Sequence, residues 1–231
     1  MNRSRFDFCV IGRASDRKMP ARVSDSSGYL EAGQGRVENK SDLKRDFYTL
    51  ISARPDFHRF TWNPIELEYT DSWGKRRTYT PDALVEFRVG SDMPAFLLFE
   101  LKYRAELRSS IDELRDRYYA AREYVSQFGG WSFQVRTEAS VCKVLVSNTV
   151  FLSRYRSIPL EDQDPDHPRL LLDELRARGR ATPELLLTVC YGNFEDKARA
   201  LPYLWAMIAQ RIVMCDLRSP LNMQSLLWLN Y

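Results

Sequence analysis

The sequence predicts an α/β domain built on a mixed sheet, followed by a small, mainly helical domain. Three observations carry this reading. Apolar residues alternate over Ile65-Glu66-Leu67-Glu68-Tyr69 and again from Asp82 to Val89. A near-continuous apolar run from Ala95 to Lys102 ends in charge, and Leu107, Ile111, Leu114, Tyr118, Ala121, Val125 and Phe128 step by four and three. Alternation marks a half-buried strand, an unbroken run marks a central one, and the four-three stepping marks an amphipathic helix.

Taken in order, residues 1–37 carry Gly28, Gly33, Gly35, serines and basic residues with little apolar periodicity, and read as an extended N-terminal arm. From Ser41, an N-cap candidate, Leu43, Phe47, Leu50 and Ile51 recur at helical spacing, and the helix should end before Pro55. Asp71-Ser72-Trp73-Gly74-Lys75 reads as the turn of a hairpin that begins at Ile65. In the next strand Ala83, Val85, Phe87 and Val89 share an apolar face, leaving Asp82 and Glu86 on the other. Gly129-Gly130 stops the long helical stripe, and Trp131, Phe133 and Val135 alternate as a further strand.

Residues 38–158 thus form one α/β domain with a mixed sheet, and the Asp- and Pro-rich stretch 159–168 reads as a linker. Residues 169–231 form the second domain. Helices are expected over Arg169 to Arg178, from Thr182-Pro183-Glu184 onward and over Lys197 to Gln210, followed by strands at Ile212 to Leu217 and Leu226 to Leu229. Three short helices and a hairpin suggest a winged helix.

Composition narrows the function. The 231 residues are 44% hydrophobic, enough for a packed core. No stretch approaches the ~18 apolar residues of a membrane span, and the amino terminus lacks the apolar run of a secretory signal, so a cytoplasmic location is expected. Four scattered cysteines with no CxxC spacing, and two histidines, His58 and His167, argue for reduced thiols and against zinc. His167, among prolines in the linker, reads as exposed. A net charge of +3 permits nucleic-acid binding without requiring it.

The chemistry concentrates in Thr80-Pro81-Asp82 and in Phe99-Glu100-Leu101-Lys102. Side chains two apart on a strand project from one face, so Glu100 and Lys102 point together, and a hairpin from Asp82 to Glu100 brings two carboxylates and an ammonium to one sheet edge. Two carboxylates suffice for hydrated Mg²⁺ at a phosphate. The pattern is that of a metal-dependent phosphodiesterase, with Asp82 and Glu100 as metal ligands and Lys102 orienting water or neutralising the phosphate. Lys75-Arg76-Arg77, beside this hairpin, is a candidate for DNA-backbone contact. Arg104, Arg108, Arg115, Arg117 and Arg122 offer a face for phosphates, but the interleaved Asp112, Glu113 and Asp116 argue equally for ordinary intrahelical ion pairs, the favoured reading.

From about Arg36 through Leu229 the order of motifs resembles the TnsA family, the endonuclease subunits of Tn7-like heteromeric transposases. The carriers are Ser41-Asp42-Leu43-Lys44-Arg45-Asp46-Phe47, Thr78-Tyr79-Thr80-Pro81-Asp82, Glu100-Leu101-Lys102, Gly130-Trp131-Ser132-Phe133-Gln134-Val135-Arg136-Thr137-Glu138 and Ala200-Leu201-Pro202-Tyr203-Leu204-Trp205. The first four resemble the restriction-endonuclease-like PD-(D/E)xK domain and the last the family's C-terminal winged helix. The resemblance implies Mg²⁺-dependent cleavage, with Mn²⁺ as a substitute, of the non-transferred strand at the 5′ transposon ends. It also implies a DDE recombinase partner, an AAA+ regulator, transposon-end DNA as substrate and a bacterial cytoplasmic location, with Asp82, Glu100 and Lys102 as the catalytic set.

One departure stands out. Where the family carries a glutamate on its first helix, this chain has Lys40 and Lys44, a cation for a carboxylate. Three readings follow. Asp82 and Glu100 carry the metal alone; Glu38, Asp42 or Asp46 supplies a carboxylate after a register shift; or cleavage is weakened or lost, leaving an architectural subunit that bridges recombinase and regulator. The family's Gln-Pro after that helix is here Asn63-Pro64. A stand-alone restriction or repair nuclease is a further alternative, disfavoured by the family-like C-terminal segment.

Overall fold

The computed structural model describes residues 11–14, 37–161 and 166–230. They divide into two compact units, Met1–Val141 and Cys142–Tyr231. Most of the predicted N-terminal arm lies outside the described residues. The part within them, β1 (Ile11–Ala14), is a strand antiparallel to β3 (Ile65–Thr70).

The first unit is α/β with a mixed four-stranded sheet, as the sequence predicts. Its order is β2 (Phe57–Trp62), β5 (Ala83–Phe87), β6 (Phe96–Leu101), β7 (Trp131–Arg136). The β2–β5 and β5–β6 pairs are antiparallel, and β6–β7 is parallel. That parallel step requires a crossover, supplied by α2 (Arg104–Ser109) and α3 (Ile111–Ser126). A second sheet, β1-β3-β4, ends on β4 (Arg76–Tyr79).

Central position explains why β6 reads as an unbroken apolar run. Leu98 joins a core with Leu67, Tyr79, Leu114, Tyr118 and Phe133, whereas Phe99 meets Phe47 of α1 (Val37–Ser52), ring centroids 4.8 Å apart. Burying each such side chain contributes roughly 1.5–3 kcal/mol.

Several local expectations differ from the structure. The first helix begins at Val37, so Ser41 lies inside it rather than at its N-cap. Strand β5 stops at Phe87, and Val89 is fully exposed in the turn that follows. The stripe from Leu107 to Phe128 is broken at Ser110, leaving Ile111 and Phe128 exposed at its ends. Asp116 does not serve a partner at helical spacing; it approaches the adjacent Arg115 at 3.9 Å and accepts the Ser72 amide at 2.9 Å.

The second unit starts earlier than the predicted boundary at residue 158. It contains α4 (Lys143–Ser153), α5 (Asp166–Arg178), β8 (Arg180–Ala181), α6 (Pro183–Cys190), α7 (Phe194–Ala209), β9 (Val213–Cys215) and β10 (Leu227–Leu229). Its sheet has the order β8-β10-β9, antiparallel throughout. Of the predicted linker 159–168, residues 162–165 lie outside the described residues and Asp166 already opens α5.

Helix α4 belongs here because its side chains pack here. Leu152 sits in the unit's core and Phe151 meets Trp205 edge-on at 5.5 Å. The Asn148 amide donates to the Leu217 and Ser219 carbonyls and its oxygen accepts the Leu221 amide. His167 is half-buried rather than exposed, with Nδ1 2.9 Å from the Tyr191 hydroxyl. Cys142, Cys190 and Cys215 are free thiols, and burial pushes Cys215 up to about 11.

Candidate active site

Asp82 stands one residue before β5. The β5–β6 register pairs Ala83 with Phe99, and one further step sets Asp82 opposite Glu100 at the other strand's end. Two contacts fix the Asp82 backbone and side chain. The Asn63 amide donates to its carbonyl at 2.9 Å, and the Leu101 amide donates to Oδ2 at 2.8 Å. Asn63 reaches its contact from the turn between β2 and β3 with φ +45°, a left-handed conformation that asparagine tolerates better than most residues.

Glu100 is only 3% exposed, yet both its oxygens are served. The Tyr79 hydroxyl donates to Oε2 at 2.8 Å, and Lys102 Nζ lies 3.2 Å from Oε1. Burial above all, and then the Asp82 charge, lift the Glu100 carboxyl above the usual carboxylate range, against the opposing pull of Lys102 and of the Tyr79 hydrogen bond. The same burial, reinforced by Glu100, drives the Tyr79 hydroxyl far upward, so it stays a donor. Behind it, Tyr118 is in ring contact with Tyr79 at 6.3 Å, and its buried hydroxyl has no hydrogen-bond partner among the described residues.

The structure therefore brings Asp82, Glu100 and Lys102 together at one end of the sheet, where β5 begins and β6 ends. It also adds two residues. Tyr79 occurs in a motif noted in the sequence, but its reach to Glu100, 21 positions away, has no local signature. Lys44 Nζ sits 2.7 Å from Asp82 Oδ1, with Trp62 beneath it at 5.6 Å from the ring centroid. The cation that replaces the expected carboxylate thus points into the site. Asp42 and Asp46 both pair with Arg45, at 2.9 and 3.3 Å, and Asp46 is buried.

The donor chemistry can be tested against a divalent cation. Among the described residues, no group of three or more His, Cys, Asp and Glu side chains is gathered to hold a metal. What remains is a two-carboxylate set, Asp82 and Glu100, which suits a hydrated hard cation shared with a phosphate. Asp82 Oδ1 is covered by an ammonium, so a cation can use it only after Lys44 moves aside. Lys44 is one-third exposed, and solvent can receive it.

Residues 54–138 match the family described as TnsA-like endonuclease N terminal. The chain carries a TnsA-like endonuclease domain. The matched stretch runs from the turn before β2 through β7, and so contains Tyr79, Asp82, Glu100 and Lys102. Lys44, on α1, lies upstream of it. The match supports a nuclease acting on DNA, and the mixed sheet agrees with a restriction-endonuclease-like core. No curated protein matches the chain. Among the described residues no helix is long and apolar enough to cross a membrane.

Proposed function

We propose that this protein is a metal-dependent DNA endonuclease subunit of a Tn7-like transposase. It would cut the non-transferred strand at the 5′ transposon ends while a DDE recombinase cuts the other, under an AAA+ regulator. The observation that carries this is the convergence of Asp82, Glu100 and Lys102 at one end of the sheet inside the TnsA-like domain.

Asp82 and Glu100 would hold Mg²⁺, or Mn²⁺ in its place. When bound there, the cation supplies Lewis-acid polarisation of the phosphate and lowers the pKa of water. The chain's own residues do the rest. The Leu101 amide keeps Asp82 at the strand end, Tyr79 keeps Glu100 oriented, and Lys102 offsets charge on the phosphate or orients the attacking water. Lys75 and Arg76 contact the DNA backbone. The topology helix-strand-helix-helix-strand-strand over 166–230, with strand order β8-β10-β9, supports reading the second unit as a winged helix that docks DNA or partner proteins.

Lys44 on Asp82 favours a second reading, a catalytically weakened TnsA-like subunit that bridges recombinase and regulator. One experiment separates the two. Labelled transposon-end DNA is incubated with the recombinase in Mg²⁺ or Mn²⁺ and with wild type, Asp82→Ala or Lys44→Glu. Metal-dependent 5′ nicking by wild type, lost in Asp82→Ala, is expected. Nicking retained by Asp82→Ala sinks the site assignment, and nicking by Lys44→Glu alone establishes the architectural reading.

A further inference from the structure

The tip of the β3–β4 hairpin exposes a tryptophan. Trp73 is 79% exposed at a tight turn, where Gly74 adopts φ +79° with no heavy atom near its absent side chain. A lone exposed apolar residue needs no explanation by itself. Trp73 differs because the turn beneath it is pinned by side-chain hydrogen bonds and exposed cations follow it in the sequence. Asp71, itself buried, accepts the Trp73 amide at 3.0 Å, the Lys75 amide at 2.9 Å and Arg77 Nε at 3.0 Å. Buried Asp116 clamps the turn from α3 through the Ser72 amide. Asp71 and Asp116 are thus spent inside the turn, while Lys75 and Arg76, two and three positions beyond Trp73, stand exposed. Glu68 lies farther down β3, opposite Thr78.

The hairpin is also tied directly to the candidate site. Arg76 and Tyr79 are the two ends of β4, three residues or about 10 Å apart, which is about three base pairs of duplex rise. Tyr79 in turn donates to Glu100.

From this we infer that Trp73 is an aromatic wedge for duplex DNA: its indole stacks on or between bases beside the cleavage position, while Lys75 and Arg76 grip the flanking phosphates. The inference rests on the nuclease reading and gives that reading a DNA-distorting element. Arg77 is not part of the grip, because its guanidinium holds Asp71. Base stacking and phosphate neutralisation leave different signatures. Stacking is insensitive to salt, whereas each lost phosphate contact lowers the slope of log affinity against log salt by about 1.

The test uses the full chain and a fluorescein-labelled transposon-end duplex, read by anisotropy across a salt series and by quenching of tryptophan emission. Trp73→Ala should bind about tenfold more weakly with an unchanged salt slope. Trp73→Phe should retain affinity within about threefold while the DNA-dependent quench shrinks to what the other tryptophans, Trp62 in the site among them, contribute. Arg76→Ala should lower the salt slope by about 1 and keep the quench. Unchanged thermal melts check that the exposed substitutions leave the fold intact. Wild-type affinity in Trp73→Ala overturns the wedge alone, including the case in which that variant instead loses association with the recombinase and the hairpin proves a protein-docking element. Absence of any duplex binding by wild type overturns both the wedge and the nuclease reading.

Discussion

Lys44 Nζ and Asp82 Oδ1 are 2.7 Å apart, joining α1 to the start of β5 across 38 residues of sequence. The contact replaces what the family resemblance leads one to expect, a carboxylate pair, with an internal ion pair. Asp82 is 13% exposed and Lys44 34%, so the pair is partly screened and easily opened. An ammonium and a divalent cation on the same carboxylate repel by a few kcal/mol at an effective dielectric of about 20. Removing the ammonium should therefore tighten metal binding. Lys44→Ala is expected to bind Mn²⁺ at least about tenfold more tightly than wild type by titration calorimetry. Equal affinities would mean that the cation does not use Asp82.

Tyr79 makes a different contribution, because it acts on Glu100 inside the core. Hydrogen bonds to charged groups contribute about 1.5–3 kcal/mol, and a buried carboxylate that loses one is left incompletely solvated. Tyr79→Phe keeps the ring against Leu67, Leu98 and Tyr118 but removes the donor. Denaturant melts should show a loss of about 1.5–3 kcal/mol, and nicking should fall as Glu100 loses its orientation. A variant as stable as wild type would show that Lys102 alone satisfies Glu100.

Asp56 sets an acid limit on the fold. Arg54 grips both its oxygens, at 2.8 and 2.7 Å, and the Ser91 hydroxyl donates to Oδ2 at 2.6 Å. The Arg54 hydrogen bonds first, and then Ser91, hold the carboxyl at about 2. Because the folded value lies below the unfolded one near ~3.9, the resulting stability is present above pH ~4 and is lost as pH falls toward the folded value. Solvent screening reduces it to about 1 kcal/mol. Asp56→Asn should be less stable than wild type by about that amount at neutral pH, with the gap narrowing below pH ~4 and closing as the pH reaches about 2 in acid titrations of the melt.

Sequence pattern alone goes far where one face of an element is buried. The alternation of Ile65 to Tyr69, the run into Glu100 and the Asp82–Glu100 hairpin are each written in local polarity, and the structure follows them. Strand β2 escapes because Phe57-His58-Arg59-Phe60-Thr61-Trp62 carries a register shift between Phe57 and Arg59 that breaks the period of two. Helix α4 escapes because Val144, Val146, Thr149 and Val150 favour strand locally, and only packing makes them helical. The Lys44–Asp82 and Tyr79–Glu100 contacts are long-range. Polarity says that these residues are polar at element ends, but not which end meets which.

The placement of α4 yields a prediction about folding units. The Asn148 side chain, 7% exposed, makes three hydrogen bonds to the segment 217–221. Leu152 and Phe151 add apolar contacts with the α7 core. A fragment covering 142–231 keeps all of these and should melt cooperatively. One beginning at residue 159 exposes the surface that Leu152 and Phe151 cover, and leaves two carbonyls and an amide without their partner. Each lost hydrogen bond costs about 0.5–1.5 kcal/mol, in addition to the lost apolar burial, against a total stability for a small domain of about 5–15 kcal/mol. The shorter fragment is therefore expected to lose cooperative unfolding in calorimetry and amide dispersion in NMR spectra. Within the full chain, Asn148→Leu should cost about 2–3 kcal/mol, since leucine fills the volume but serves none of the three groups. A fragment from residue 159 that melts as sharply as that from 142 would return the boundary to where composition alone had set it, and would reduce α4 to an appendage.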